Sequence, residues 1–137
     1  MTEPDRTLAF SPGSVLVRRA DRQAGDSKLR PCVVISSEAR GVDPSADTVI
    51  VVPLTSDTDG RQRLPMPVIV PDARNGLQHP SAAMAGRVTS VRKTRLDQRI
   101  GDVSASDLRR IRLGVVAVIG LAELLVTGSP APGHRLA

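Results

Sequence analysis

The sequence predicts a mostly β domain that ends in one helix: a small antiparallel barrel or curled sheet with the helix packed against it. Three observations point there. Short β-branched runs, separated by loops rich in Gly, Pro and Asp, recur through the first two thirds of the chain. One stretch of helical period stands near the end. Strands and helices do not alternate, as a parallel α/β sheet would require. The 137 residues make one ordinary domain, and 40% apolar with 24% charged residues places it in the globular range.

Residues 1–11 form a polar arm, expected to be flexible, and the domain proper is expected over 12–126. Pro12-Gly13 introduces a first strand at Ser14-Val15-Leu16-Val17, and a polar loop follows from Arg18 to Lys28. Cys32-Val33-Val34-Ile35 is a continuous β-branched run, hence a strand buried on both faces. Ser36 to Ala46 reads as a loop, and Thr48 to Leu54 as the next buried strand, stopping at Thr55-Ser56. A second loop, Asp57 to Leu64, carries Arg61 and Arg63. Pro65 to Val70 is an edge-type strand, because Pro65, Pro67 and Pro71 cannot donate to a ladder. Asn75-Gly76 marks a turn, and Ser81 to Ala85 and Arg87 to Val91 are two further extended pieces around Gly86. Ser104 supplies an N-cap for a helix running towards Leu125, whose Leu108, Ile111, Val115, Val118, Ile119 and Leu121 share one face. Gly114 and Gly120 are candidate breaks in it. The tail, 127–137, is Pro/Gly-rich and expected to be flexible.

Composition narrows function. One Phe, no Tyr and no Trp build no aromatic base-stacking platform, and the core is left to Val, Ile, Leu and Ala. The single cysteine, Cys32, permits neither an internal disulfide nor a Cys-rich zinc site. No segment has the apolar centre of a signal peptide, and the longest apolar stretch, Leu113 to Val126, is interrupted by Glu123 and falls short of the roughly 18–20 residues that span a bilayer. A soluble cytoplasmic protein without membrane contact is expected. The net charge is +5, carried by 17 Arg against 2 Lys. Such a surface suits a polyanion, an acidic protein or an acidic membrane. Codon bias in a GC-rich genome accounts equally well for the Arg:Lys ratio, though not for the net excess of positive charge.

Common catalytic sets are missing: no Walker loop, no G-x-G-x-x-G after a strand, no H-E-x-x-H. His79 and His134 fall in a turn and in the tail, and Cys32 in a buried strand, where a thiol is inert. Arg, Lys, Thr, Ser and Asp remain for chemistry, and they concentrate in two places. One is Gly25-Asp26-Ser27-Lys28-Leu29-Arg30-Pro31, where a polar loop enters a buried strand and Pro31 holds Arg30 extended. The other is Pro53-Leu54-Thr55-Ser56, where a buried strand exits into hydroxyls. Spacing alone also fits a solvated charge at Arg30 and a turn residue at Thr55 bonded to its own backbone.

Four motifs follow one another: G-x-x-x-x-R-P-x-x-V-I-S over 25–36, V-V-P-L-T-S over 51–56, G-L-x-x-P-S-A over 76–82 and R-V-T-S-V-x-K-x-R-L-x-x-x-I-G over 87–101, with a helix after them. In this order and spacing, from Gly13 to Leu121, the chain resembles the MazF/PemK toxins. The resemblance implies an SH3-like barrel of the CcdB/MazF kind, a homodimer, and a sequence-specific single-stranded RNA endoribonuclease needing no metal or other cofactor. It implies products with 2′,3′-cyclic phosphate and 5′-hydroxyl ends, inhibition of translation and growth, and neutralisation by a cognate MazE-like antitoxin. By position, Arg30 and Thr55 match the family's catalytic arginine and threonine. Ser56 is placed to contact phosphate, and Ser81 matches a serine beside the RNA groove. Lys28, Arg61, Arg63 and Arg87 are candidate RNA contacts; solvated loop charge is the competing reading for the loop arginines, including Arg18, Arg19 and Arg22. The chain departs from many relatives in carrying Ser14 and Leu16 in the first strand and Arg87 and Arg92 in the late motif. Two other readings stand beside the ribonuclease: a non-catalytic, CcdB-like gyrase-poisoning toxin, and a degenerate binding module of the same fold whose Arg-rich groove takes an acidic peptide.

Overall fold

The computed structural model describes residues 10–18, 30–58 and 66–120. Seven strands, β1 (Ser14–Arg18), β2 (Arg30–Val34), β3 (Thr48–Thr55), β4 (Val68–Ile69), β5 (Ser81–Ala83), β6 (Thr89–Arg92) and β7 (Leu96–Asp102), form one sheet. The short helix α1 (Glu38–Val42) and the longer α2 (Ala105–Val118) complete it. Every pairing is antiparallel, in the order β4-β5-β3-β2-β1-β7, with β6 also on β3. β3 is long enough to serve β6 with its first half and β5 with its end. Register shifts in the β1·β7 pair bend the sheet there, and the whole curls into a half-barrel, as expected.

Alternation along β1, β2 and β3 sends side chains to two cores. Val15, Val33, Val52 and Leu54 face one way and pack with Ile69, Ala83, Val103 and Ile111 of α2. Leu16, Cys32, Val34, Val49 and Val51 face the other way and pack with Val91 and Leu96 inside the curl. Phe10, within the stretch expected to be a flexible arm, is packed against this second cluster. The expected burial of β2 on both faces is therefore real: Cys32, Val33 and Val34 are at most 1% exposed.

Helix α2 begins where the N-cap signal put it, with Ser104 Oγ accepting from Asp107 N–H at 3.0 Å. It runs unbroken through Gly114, which is buried, and it stops before Gly120, whose φ of +83° suits a residue without Cβ. Val118 and Ile119 are exposed rather than packed. The expected continuation to Leu125, like both chain ends up to residue 9 and from 121, lies outside the described residues. Two arginines tie the helix down: Arg112 donates twice to the Ile35 carbonyl, at 2.9 and 3.2 Å, and Arg110 once to that of Val68 at 3.1 Å. Among the described residues no helix is long and apolar enough to cross a membrane.

Three expectations change. Residues 96–102, to which the sequence reading assigns no element, form β7, an edge strand whose Asp97, Gln98 and Arg99 are exposed and hide the β signal. The loop 36–46 holds α1, capped by Ser37 and without a buried residue, so no apolar period announces it. The expected strand 65–70 shrinks to Val68–Ile69, because Pro67 and Pro71 flank it on the sheet edge.

One polar side chain organises the turn after β4. Asn75 is fully buried; its Oδ1 accepts from Asp72 and Leu77 N–H and its Nδ2 donates to the Val70 carbonyl at 2.9 Å. The turn lies backbone to backbone on β7, where a Cβ at Gly76 would collide with the Ile100 carbonyl and one at Gly101 with that of Arg74. Asn75→Ala leaves two N–H groups and a carbonyl without their partner, and is expected to cost about 2–3 kcal/mol in urea unfolding, whereas a surface Gln78→Ala is expected to be close to neutral.

Candidate active site

The curled face that buries Leu16, Cys32 and Val51 changes character at one end of the strands. Two residues beyond Leu16, on the same face of β1, stands Arg18; two residues before Cys32 on β2 stands Arg30, its direct cross-strand partner. β2 pairs with β3 through Cys32↔Pro53, and Arg30 and Thr55, each two residues beyond that pair towards the same end of the sheet, line one cleft with Arg18. Arg18, Arg30 and Thr55 therefore make one row across three adjacent strands. A cleft of about 540 Å³ opens over that row, lined by Arg18, Arg30, Pro53, Thr55, Met84, Arg87 and Thr89.

Each wall has a local cause. Pro31 restricts Arg30 to the extended conformation with which β2 begins. Thr55 ends β3 in a tight turn in which its Oγ1 accepts the Asp57 N–H at 3.2 Å, leaving its own proton to donate. Met84 N–H donates to the Pro53 carbonyl at 2.8 Å, and the 3₁₀ turn Ala85–Arg87 that follows presents Arg87 beside the row. Met84, 9% exposed, adds an apolar side chain to the lining.

The cleft has one electrical sign. Three guanidinium groups line it, and no carboxylate does so among the described residues. Like charges directly opposite one another on a ladder repel, so the Arg18–Arg30 pair is an arrangement that an anion between them improves. Arginine offers paired N–H donors in a fixed plane, the geometry that phosphate and carboxylate accept. Cys32 sits directly behind Arg30 yet takes no part: its Sγ donates to the Leu16 carbonyl at 3.5 Å, and burial pushes the thiol up to about 12 against the smaller pull of Arg18.

Of the residues singled out from sequence, Arg30, Thr55 and Arg87 meet in this cleft. Ser56 is exposed one residue past Thr55 and does not line it. Ser81 is buried in β5 with its hydroxyl donating to the His79 carbonyl at 3.0 Å, and the register sets Ala82, not Ser81, beside Thr55. Lys28, Arg61 and Arg63 lie outside the described residues. Sequence reasoning placed Arg18 among loop charges, whereas it closes the alternation Leu16, Arg18 at the end of β1. Thr89 and Met84 carried no signal of their own. Among the described residues no group of three or more His, Cys, Asp or Glu is gathered as a metal site.

The model of the PemK-like, MazF-like toxins of type II toxin–antitoxin systems matches residues 11–119. A probable endoribonuclease MazF of Mycolicibacterium smegmatis is 31% identical over 106 residues, covering 75% of this chain and 91% of that protein. Among solved structures, the Mycobacterium tuberculosis toxin MazF-mt6 superposes with a TM-score of 0.63 at 23% identity, over 79% of this chain and 97% of that one. A MazE–MazF structure from Deinococcus radiodurans gives 0.65 at 22% identity, over 81% and 96%.

The state of Cys32 gives a direct check on the row beside it. Its folded pKa, about 12, is raised above the ordinary 9.0, so its contribution to stability is complete below pH 9 and is lost as pH rises towards 12. Native protein is expected to resist iodoacetamide at pH 8.5 and to react once unfolded. Between pH 9 and 11 the wild-type protein should lose more stability than Cys32→Ala does.

Proposed function

The chain belongs to the PemK-like, MazF-like toxins of type II toxin–antitoxin systems, and from that premise we propose that it is a metal-independent, sequence-specific endoribonuclease whose centre is Arg30 with Thr55. Endoribonuclease activity follows from homology to the mycobacterial relative. The observation that carries the finer reading is the Arg18–Arg30–Thr55 row: two fixed guanidinium groups and a donor hydroxyl in one cleft without a carboxylate among its described lining.

The chemistry is transesterification within the RNA. The ribose 2′-hydroxyl gives its proton to solvent water as its oxygen attacks the adjacent phosphorus in line, the bond from phosphorus to the 5′-oxygen breaks, and that oxygen takes up a proton from water, so the products are a 2′,3′-cyclic phosphate and a 5′-hydroxyl. Negative charge grows on the non-bridging oxygens as the phosphorane forms. Arg30 neutralises it with N–H donors already in position, and Thr55 donates its hydroxyl proton to a second oxygen. Arg18 and Arg87 hold the strand by its phosphates on either side. Arg30 acts as a cation and not as a base, because a guanidinium keeps its proton. Lys28, Arg61, Arg63 and Ser56 belong to the same reading as candidate RNA contacts. With no aromatic ring lining the cleft among the described residues, bases meet Met84, Pro53 and guanidinium planes. The reading carries with it a homodimer and a MazE-like antitoxin, as the Deinococcus complex of that name suggests. By cutting RNA the protein inhibits translation and growth.

Single-stranded RNA incubated with the protein in excess EDTA is expected to yield discrete fragments ending in 2′,3′-cyclic phosphate, identified by mass. Arg30→Ala should lower the cleavage rate by about 10²–10³ with the unfolding midpoint unchanged, and Thr55→Val should lower it by at least about tenfold. Intact RNA across several long substrates would turn the account towards a non-catalytic toxin of the same fold.

A further inference from the structure

A second cleft, of about 380 Å³, lies against the first and shares one residue with it. Its lining is Arg18, Ser90, Val91, Arg92, Thr94 and Arg95. The strand order explains the sharing. On β1, Arg18 has Arg30 of β2 on one side and Leu96 of β7 on the other, and Arg95 immediately precedes Leu96. Arg92 ends β6, and the 3₁₀ turn Lys93–Arg95 carries the chain from there to β7. The two clefts thus form one basic track, with Arg30 and Arg87 at one end, Arg18 in the middle, and Arg92 and Arg95 at the other.

Several other arginines of the fold have structural work: Arg40 bonds Thr48, Arg99 pairs with Asp102, and Arg110 and Arg112 hold α2 to the sheet. The guanidinium groups of Arg92 and Arg95 make no hydrogen bond or ion pair with any of the described residues, Arg92 joining the ladder through its backbone alone. Their cleft carries no carboxylate among those residues, while Ser90 and Thr94 are exposed and offer hydroxyl donors. Val91 is buried and no ring lines the cleft, so nothing in it presents a plane on which a base could stack.

We infer that this second cleft is a phosphate subsite for a neighbouring nucleotide of the bound RNA strand, with Arg92 and Arg95 holding that phosphate and Arg18 bridging it to the scissile one. The inference rests on the ribonuclease reading and deepens it. The subsite recognises backbone and not base, so it sets affinity and strand register while leaving sequence choice to the first cleft.

The test is the salt dependence of binding to a fluorescently labelled 12-nucleotide RNA that is 2′-O-methylated throughout. Such RNA has no attacking hydroxyl, so binding is read apart from cleavage. Each phosphate contact on a single strand contributes about −0.7 to the slope of log affinity against log salt. The variant carrying Arg92→Gln and Arg95→Gln removes the one phosphate contact of the subsite and is expected to lose about 0.7 from the magnitude of that slope, and at least about tenfold in affinity at low salt. The double lysine variant should restore the slope, because a point charge releases the same counterions. Both side chains are on the surface without described partners, and an unchanged urea midpoint verifies the fold. A glutamine variant with the wild-type slope would overturn the subsite and leave the ribonuclease reading standing. Failure of the wild-type protein to bind RNA at low salt would overturn both. If instead the substitutions abolish binding of a polyglutamate peptide and spare RNA, the cleft belongs to an acidic protein segment and the inference is wrong.

Discussion

The antiparallel register of β1, β2 and β3 is the constraint on which the rest depends. Side chains alternate between faces with a period of two, so a slip of one residue in either pairing would turn the row Arg18, Arg30, Thr55 away from a common face and carry Leu16, Cys32 and Val51 out of their core. The same alternation that fills the curl with Leu16, Cys32, Val34 and Val49 delivers two guanidinium groups and a hydroxyl at its open end. Core and site are two stretches of one surface. Helix α2, held by Arg110 and Arg112 to backbone carbonyls on the opposite face, closes the other core and leaves the curled face open at the cleft.

Electrostatics then decides what such a site can bind. Arg18, Arg30, Arg87, Arg92 and Arg95 line two adjoining clefts with no carboxylate among the described lining, and Arg18 faces Arg30 directly across the ladder. A stability argument alone would not put like charges there. The proposed RNA strand would bring phosphates to that pair of charges. The buried thiol of Cys32 shows how sharply the environment changes over two residues of β2: Arg30 is exposed, whereas Cys32 is 1% exposed and kept protonated by burial.

Much of this was legible in the sequence, for reasons that differ by element. β1, β2 and β3 announce themselves as β-branched runs, and Ser104 announces α2, because burial and capping both write local patterns. β7 is invisible because an edge strand exposes most of its side chains, and α1 because five residues without a buried face have no period. Arg30 and Thr55 stand out at strand ends beside Pro31 and Pro53, and the resemblance singled them out. Arg18 was hidden among Arg19 and Arg22, since only strand pairing tells a charge on the row from one in a loop. The hydroxyl of Ser81 could not be read from sequence either, because its bond to the His79 carbonyl depends on how the chain enters β5.

The central claim is that RNA lies along the row on the curled face, and arginine side-chain resonances test it most directly. Titrating the 2′-O-methylated RNA into isotopically labelled protein and following the Nε–H signals should move those of Arg18, Arg30 and Arg87 together, with the Thr55 amide, and leave Arg109, Arg110 and Arg112 on α2 unmoved. Shifts centred on the α2 arginines, with the row silent, would contradict the account.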